Sequence, residues 1–421
     1  MEKIREIAEV REKLDRPPNV IDYVFYKKYG EIPPYVSGKT GVLDDSRDEI
    51  LVGLYELGLN EGMIGESEEL LLPENLLYAV EKSDFYREKF KGVDIKKVKN
   101  SEDLKKLPPL TNHDFRNPDL YPYGLWIKGK PVYKTFQSGA TTGDPCITAY
   151  SEVDTKVGVL VFAHGFRDLM GIKKSDIVLI YGPGESHLYG SQAELSCEVI
   201  GATPIWRHFK KVGSAEALLK QIEAIKPDVL VAAPHGPKGA AGALDVLLQE
   251  DLEKGMGIFS ETLKGKKVMI GGTPISKELA ARLYEVGISD IINAYGSGQA
   301  GGFYDSPESK LRKGKGKRED NVNFFSDIQI PEGYWIVSAL ESSGRVPRPW
   351  EEIAITVLGR EIQPMIRYAP GDYAKILEPS GSDKYRSKRL EDLCRKEWFT
   401  IKEGKIQVVI PLGVKTCVSD V

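Results

Sequence analysis

Across the middle of the chain, short apolar runs alternate with amphipathic helical stretches. Residues 176–181 form an apolar run that ends in Gly182, Pro183 and Gly184. Residues 192–200 read as a helix and 203–206 as a strand. Ser214 begins a helix with Ala215, Leu218, Leu219, Ile222 and Ile225 on one face, and Pro227 stops it. Buried-strand patterns follow at 228–232 and 267–270. Ser276 caps another helix, with Leu279, Leu283 and Val286 inward and Gly287 as the stop, before a strand at 290–294. Such alternation predicts a mostly parallel sheet with helices on its faces. In sheets of that kind, ligands sit at the carboxyl ends of the strands.

From Tyr334 the pattern changes. Strands at 334–339, 353–358, 365–368 and 373–377 are joined by turns at Ser343-Gly344 and Pro370-Gly371-Asp372, which predicts a small antiparallel subdomain. Upstream, helical periodicity is interrupted by Pro17, Pro18, Pro33 and Pro34 and runs to about Pro73. A second helical stretch, 76–91, leads to a polar linker and Pro108-Pro109. No internal repeat is visible. The expected fold class is α/β, with mostly parallel sheets flanked by helices and a small antiparallel β subdomain. Four segments follow: a helical extension (1–73), an α/β core (74–333), the small β subdomain (334–378) and a short C-terminal segment (379–421).

Composition narrows the function classes. Hydrophobic residues make up 41% and charged residues 29%, which supports a real core and argues against disorder. The net charge of −4 argues against nucleic acid as a bulk partner. One basic run, 310–318, reads first as a solvated loop, with an anion-steering loop over a polyphosphate site as the alternative. Cys146, Cys197, Cys394 and Cys417 are scattered without C-x-x-C spacing, so neither a disulfide framework nor structural zinc is expected. The charged start is unlike a signal peptide, and no apolar run approaches a membrane span. A cytoplasmic protein is the expectation, and its many Lys and Glu hint at a thermophile.

The candidate chemistry begins between Lys134 and Tyr150. After a β-like run at 131–136, Ser138, Gly139, Thr141, Thr142, Gly143 and Pro145 make a loop of small residues with three hydroxyls. Backbone N–H groups and hydroxyls there can wrap phosphates without a bulky Cβ in the way. It lacks the Gly-Lys-Ser/Thr of a Walker A loop. Three further motifs lie downstream. Gly271-Gly272-Thr273-Pro274 follows one predicted strand, and Tyr295-Gly296-Ser297-Gly298-Gln299 follows the next. The run Pro364-Met365-Ile366-Arg367-Tyr368-Ala369-Pro370-Gly371-Asp372 sits in the small subdomain. Each alone is a turn. In this order after a Ser/Thr/Gly loop, they resemble the adenylate-forming enzymes, and most closely the phenylacetate–CoA ligase family. The resemblance starts near Phe85-Tyr86-Arg87-Glu88-Lys89-Phe90, continues through Leu107-Pro108 and Tyr121-Pro122-Tyr123-Gly124, and runs to Asp372.

The resemblance implies a set of roles. Ser138, Gly139, Thr141, Thr142 and Gly143 would hold the β- and γ-phosphates of ATP, with Thr141 among the catalytic residues. Gly271, Gly272, Thr273 and Pro274 would line the adenine and ribose pocket. Tyr295, followed by Gly296 and Ser297, would stack on adenine. Asp372 would accept hydrogen bonds from both ribose hydroxyls, a bidentate task that suits a carboxylate. Gln299 would be catalytic and a magnesium ligand. A carboxylate attacks the α-phosphate and pyrophosphate leaves, so donors and Mg2+ should neutralise the developing charge. From their loop positions past strand ends, His187, Tyr189, His235 and Gly236 are substrate-pocket candidates. His164 falls on the stripe Val153, Val157, Leu160 and Val161 and reads as a core histidine.

Several positions depart from the family pattern. Ala140 stands where Thr is usual, and Gln299 where Glu is usual, which removes an anionic metal ligand. Ala369 and Pro370 replace the usual Arg and Thr before Gly-Asp. After Asp372 the family continues with a hinge and a domain of about a hundred residues, whereas residues 373–421 supply about half that length. Lys405 reads as an exposed turn lysine rather than a catalytic one, and Cys417 as inert, with an acyl-carrying role as the alternative. The expectation is therefore an acyl adenylate made from ATP and a small carboxylic acid, aromatic acids included. The short end, with no hinge motif, also predicts poor acyl-CoA formation by this chain alone, with CoA kept as a candidate acceptor. A separate acceptor protein or C-terminal-domain-like partner, adenylyl transfer to a cofactor, a non-catalytic nucleotide-binding subunit and a homodimer stay open.

Overall fold

A computed structural model describes residues 2–30, 47–117, 119–120, 124–137, 146–182, 188–208, 213–235, 241–272, 275–305, 328–340, 350–380, 383–395, 399–402, 405–409 and 415–417. The chain divides into two compact units. The first holds residues 1–164, 297–301 and 330–389, and the second holds 165–296, 302–329 and 390–421.

Helices α1 (Glu2–Leu14), α2 (Val20–Tyr29), α3 (Arg47–Leu59), α4 (Glu61–Lys82) and α5 (Asp84–Lys89) open the first unit. Asn19 caps α2 by accepting from the amides of Ile21 and Asp22, and Asp22 closes the capping box. The sequence pattern breaks near Pro73, yet α4 passes through it. An interior proline costs about 3 kcal/mol. Leu70, Leu71, Leu72 and Leu76 around it are all buried, and each such side chain stabilises by roughly 2 kcal/mol, so packing offsets the break.

These helices hold one turn of the same unit. Asn75 on α4 donates from Nδ2 to the Pro18 carbonyl at 2.8 Å and accepts from the Gly359 amide at 2.7 Å. The Tyr78 hydroxyl donates to the Glu361 carbonyl at 3.1 Å. On α5, Tyr86 donates to the Pro364 carbonyl at 2.5 Å and accepts from the Ile366 amide at 3.3 Å. The motif around Phe85-Tyr86 thus anchors the start of the Pro364–Asp372 run. β1 (Leu110–Thr111), β2 (Lys134–Gln137) and β3 (Ile147–Tyr150) follow, then α6 (Glu152–His164).

In the second unit, β4 (Ile177–Gly182), β5 (Thr203–His208), β6 (Val229–Ala232), β7 (Lys267–Gly271), β8 (Asp290–Ser297) and β9 (Gly301–Tyr304) form a sheet in the order β5-β4-β6-β7-β8-β9. The first four pairings along it are parallel. Helices α7 (Leu188–Ile200), α8 (Ala215–Ile225), α9 (Leu244–Lys254) and α10 (Lys277–Glu285) connect the strands. Ser214 and Ser276 cap α8 and α10 through their side-chain oxygens, as the sequence predicts. Leu218, Leu219 and Ile222 of α8 pack in one buried cluster with Leu230, Leu247, Val268, Leu283 and Ile291. The alternating pattern of the sequence is the face of this cluster.

β10 (Ile328–Gln329) precedes the antiparallel strands of the first unit. These are β11 (Trp335–Ala339), β12 (Glu351–Val357), β13 (Met365–Ala369) and β14 (Asp372–Leu377). β12 pairs antiparallel with β11, β13 and β14. β1 adds to β13 in parallel, a pairing that two residues of sequence do not announce. β15 (Arg389–Arg395) leads to an antiparallel meander of β16 (Phe399–Lys402), β17 (Lys405–Val409) and β18 (Lys415–Cys417). Lys405 therefore opens a strand rather than sitting in a turn. Among the described residues, no helix is long and apolar enough to cross a membrane.

Candidate active site

The second unit gathers its candidates at the carboxyl ends of β6, β7 and β8. Gly271 is the last residue of β7 and has little room for a side chain. A Cβ there would meet the Tyr189 ring at 3.1 Å and the Ala294 carbonyl at 3.2 Å. Gly272 needs to be glycine for conformation, with φ at +85° and open space around it. Tyr189, near the start of α7, is pushed well above the usual phenol range by burial, so it stays neutral. Tyr304 on β9 is fully buried, with its ring 5.3 Å from that of Phe166 and packed on Gly165. Tyr295 on β8 is half-buried, and Gly296 is exposed. Cys197 on α7 is buried, and burial pushes its thiol up to about 12, which makes it inert.

His235 follows β6 and is only 7% exposed. Its Nε2 accepts from the Ser276 amide at 3.2 Å, and its Nδ1 lies 2.9 Å from the Asp245 carboxylate. The neutral tautomer with hydrogen on Nδ1 satisfies both bonds. Asp245 sits in the first turn of α9, and Ser276 caps α10. The imidazole ties the starts of two helices together. Sequence reading missed this because Asp245 and Ser276 lie 10 and 41 residues away. His164 is half-buried at the end of α6, edge-on to Tyr55 at 6.4 Å, rather than in the core with Val153, Val157, Leu160 and Val161.

In the first unit, β2 and β3 pair from Lys134↔Tyr150 to Gln137↔Ile147 and form the stem below the Ser/Thr/Gly loop. Ser138, Gly139, Thr141, Thr142 and Gly143 lie outside the described residues, as do His187, Gly236, Thr273, Pro274 and the basic run 310–318. Gln363 Oε1 accepts from the Ala149 amide at 2.9 Å and fixes the stem. Gln299 is 3% exposed. Its side chain offers a neutral oxygen. Among the described residues, no three His, Cys, Asp or Glu gather to hold a metal ion.

Asp372 begins β14 directly after Gly371, whose φ is +84°, and is 4% exposed. Asn112 holds this turn: its Nδ2 donates to the Pro370 carbonyl at 3.3 Å and its Oδ1 accepts from the Tyr368 hydroxyl at 2.9 Å. Arg367 adopts φ of +53°, rare for a side-chain-bearing residue, where the β12–β13 register shifts. Its amide donates to Thr356 Oγ1 at 2.9 Å, and its buried guanidinium bonds the Leu107 carbonyl. The Leu107-Pro108 motif is therefore the partner of the Arg367 motif. No sequence signal marks the positive φ, since no glycine stands there.

No family model matches the chain. It is 26% identical over 318 residues to a phenylacetate-coenzyme A ligase of Aromatoleum evansii, covering 74% of this chain and 66% of that protein. It is 26% identical over 322 residues to a phenylacetate-coenzyme A ligase of Escherichia coli strain K12, covering 75% and 68%. The chain thus spans about two thirds of the length of these curated relatives, and slightly less for the first. Among solved structures, it superposes on 2-hydroxyisobutyryl-CoA ligase in the postadenylation state with a TM-score of 0.66 and 16% identity, over 83% of this chain and 70% of that one. The open conformation of the same ligase, with 2-HIB-AMP and CoA, gives a TM-score of 0.63 over 83% and 78%. At this identity the likeness shows the shared fold.

Proposed function

We propose that this chain, a phenylacetate–CoA ligase-like member of the adenylate-forming superfamily, activates a carboxylic acid with ATP and passes the acyl group to CoA. The acid's carboxylate oxygen attacks the α-phosphorus, the bond to the bridging oxygen breaks, and pyrophosphate leaves. The CoA thiolate then attacks the acyl carbon, and AMP leaves. The curated relatives are named CoA ligases, which supports CoA as the acceptor. The expectation of weak CoA ligation rests on the short segment after Asp372 and on the lack of a hinge motif and a catalytic lysine there, and the named relatives give it no support.

The observation that carries the reading is Asp372. A carboxylate buried at the first residue of a strand, on a turn latched by Asn112, suits a site that orders its acceptor before a ribose arrives. Within the second unit, Gly271 and Gly272 offer a backbone surface free of side chains and Tyr295 a half-buried ring, features that suit a purine base. An aryl or arylalkyl acid is the substrate class to try first, since the curated relatives are named phenylacetate-coenzyme A ligases. Product analysis with ATP, magnesium, CoA and such acids tests this. AMP, pyrophosphate and acyl-CoA in equal amounts support it, and ADP as the product contradicts it.

Magnesium would neutralise the triphosphate charge during the displacement. Gln299 supplies at most a neutral oxygen, so the ion would be carried mainly by the phosphates. We expect Gln299→Glu to lower the magnesium concentration for half-maximal rate by about threefold to tenfold at fixed ATP. Exchange rate against magnesium checks this, and an unchanged or right-shifted curve would remove Gln299 from the metal's surroundings.

A further inference from the structure

Three consecutive carbonyls, those of Gly298, Gln299 and Ala300, each accept a hydrogen bond from a different buried side chain. The Tyr150 hydroxyl donates to Gly298 at 3.1 Å. Arg360 Nη1 donates to Gln299 at 3.2 Å, and Trp335 Nε1 to Ala300 at 2.8 Å. The Ala300 amide donates to Ser297 Oγ at 3.0 Å and closes the turn. Tyr150, Arg360 and Trp335 are each no more than 1% exposed. Turns between strands commonly leave such carbonyls to water. Here each is held by a donor that came from a separate strand or turn.

The donors are themselves fixed. Arg360 Cζ lies over the Tyr150 ring, 3.6 Å from its centre, and Nη2 donates to the Ala149 carbonyl at 2.8 Å. Asp154 accepts from the amides of Glu361 at 2.6 Å and Ile362 at 3.2 Å, which sets the turn that carries Arg360. Burial raises the Tyr150 hydroxyl above the usual phenol range, so it keeps the proton it donates. One guanidinium therefore joins β3, which leaves the Ser/Thr/Gly loop, to the backbone of Gln299.

We infer that Tyr150, Arg360 and Trp335 are positioning residues that fix Gln299 for adenylation. The inference rests on the proposed role of Gln299 in the reaction. A turn held only for stability would be indifferent to which side chain stands at 299. A turn held for catalysis would couple the clamp to that side chain, which a double-mutant cycle reads.

The test compares Tyr150→Phe and Arg360→Lys in the native chain and in Gln299→Ala, by ATP–pyrophosphate exchange and thermal melting. Tyr150→Phe removes one oxygen and keeps the ring, so it decides if Arg360→Lys fails to fold. We expect Tyr150→Phe to lower the exchange kcat by about tenfold with the KM for the acid unchanged. In the Gln299→Ala chain the same change should alter kcat by less than about twofold. Equal losses in both backgrounds, or no loss in the native chain, would overturn the clamp alone. Native exchange in Gln299→Ala would overturn the role of Gln299 and the clamp with it. Absence of exchange in the native chain would overturn both together with the proposed function.

Discussion

Asp372→Ala should weaken binding of ATP and AMP by about 2–4 kcal/mol, or roughly 30-fold to 1000-fold. The reason is the loss of two charge-assisted hydrogen bonds to the ribose. Asp372→Asn keeps one acceptor and should lose about half as much free energy. Both variants keep the Pro370 and Tyr368 bonds to Asn112 that hold the turn, and thermal melting of each checks that the fold survives. Calorimetry with AMP and 2′-deoxy-AMP separates the terms. Native affinity in Asp372→Ala would end the ribose assignment, whatever the catalytic rate.

Gly359→Ala should destabilise the protein by about 3–5 kcal/mol, the second large effect. Two costs add. Gly359 has φ of +84°, where a side chain is strained. A Cβ there would also stand 2.3 Å from Asn19 Cβ and 3.0 Å from Asn19 Cα, and a backbone atom cannot swing away. Gly371 supplies the control. Its φ is also +84°, but its surroundings are open, so Gly371→Ala should cost only about 1 kcal/mol. Urea unfolding of both variants measures the difference. Equal losses would show that Asn19 yields and that the N-terminal helices grip the 359–364 turn only loosely.

The contrast between those glycines marks what the sequence carries and what it does not. Strands β4 to β8 and helices α8 and α10 were legible because their apolar periods match the buried cluster and their caps are local. The three-residue extension of β8 past Ala294 was not, because Tyr295 and Gly296 carry no apolar pattern. Pro73 reads as a break, and only tertiary burial of the neighbouring leucines explains its helix. Within the site, Asp372 and the Gly271-Gly272 pair could be picked out by motif. Arg360 could not, since its bonds reach Gln299 across 61 residues and Ala149 across 211. His235 was visible as a loop histidine, but its two partners were not. Chemistry that depends on residue type shows in a sequence, whereas chemistry that depends on who faces whom does not.

The central claim is acyl-adenylate formation, and ATP–pyrophosphate exchange measures it without any need for CoA. Purified protein, ATP, magnesium and labelled pyrophosphate would be combined with aryl and arylalkyl acids in turn. The account predicts label in ATP that depends on the acid and falls away in Asp372→Ala. Label that is absent with every acid, although the folded protein binds ATP, would contradict it.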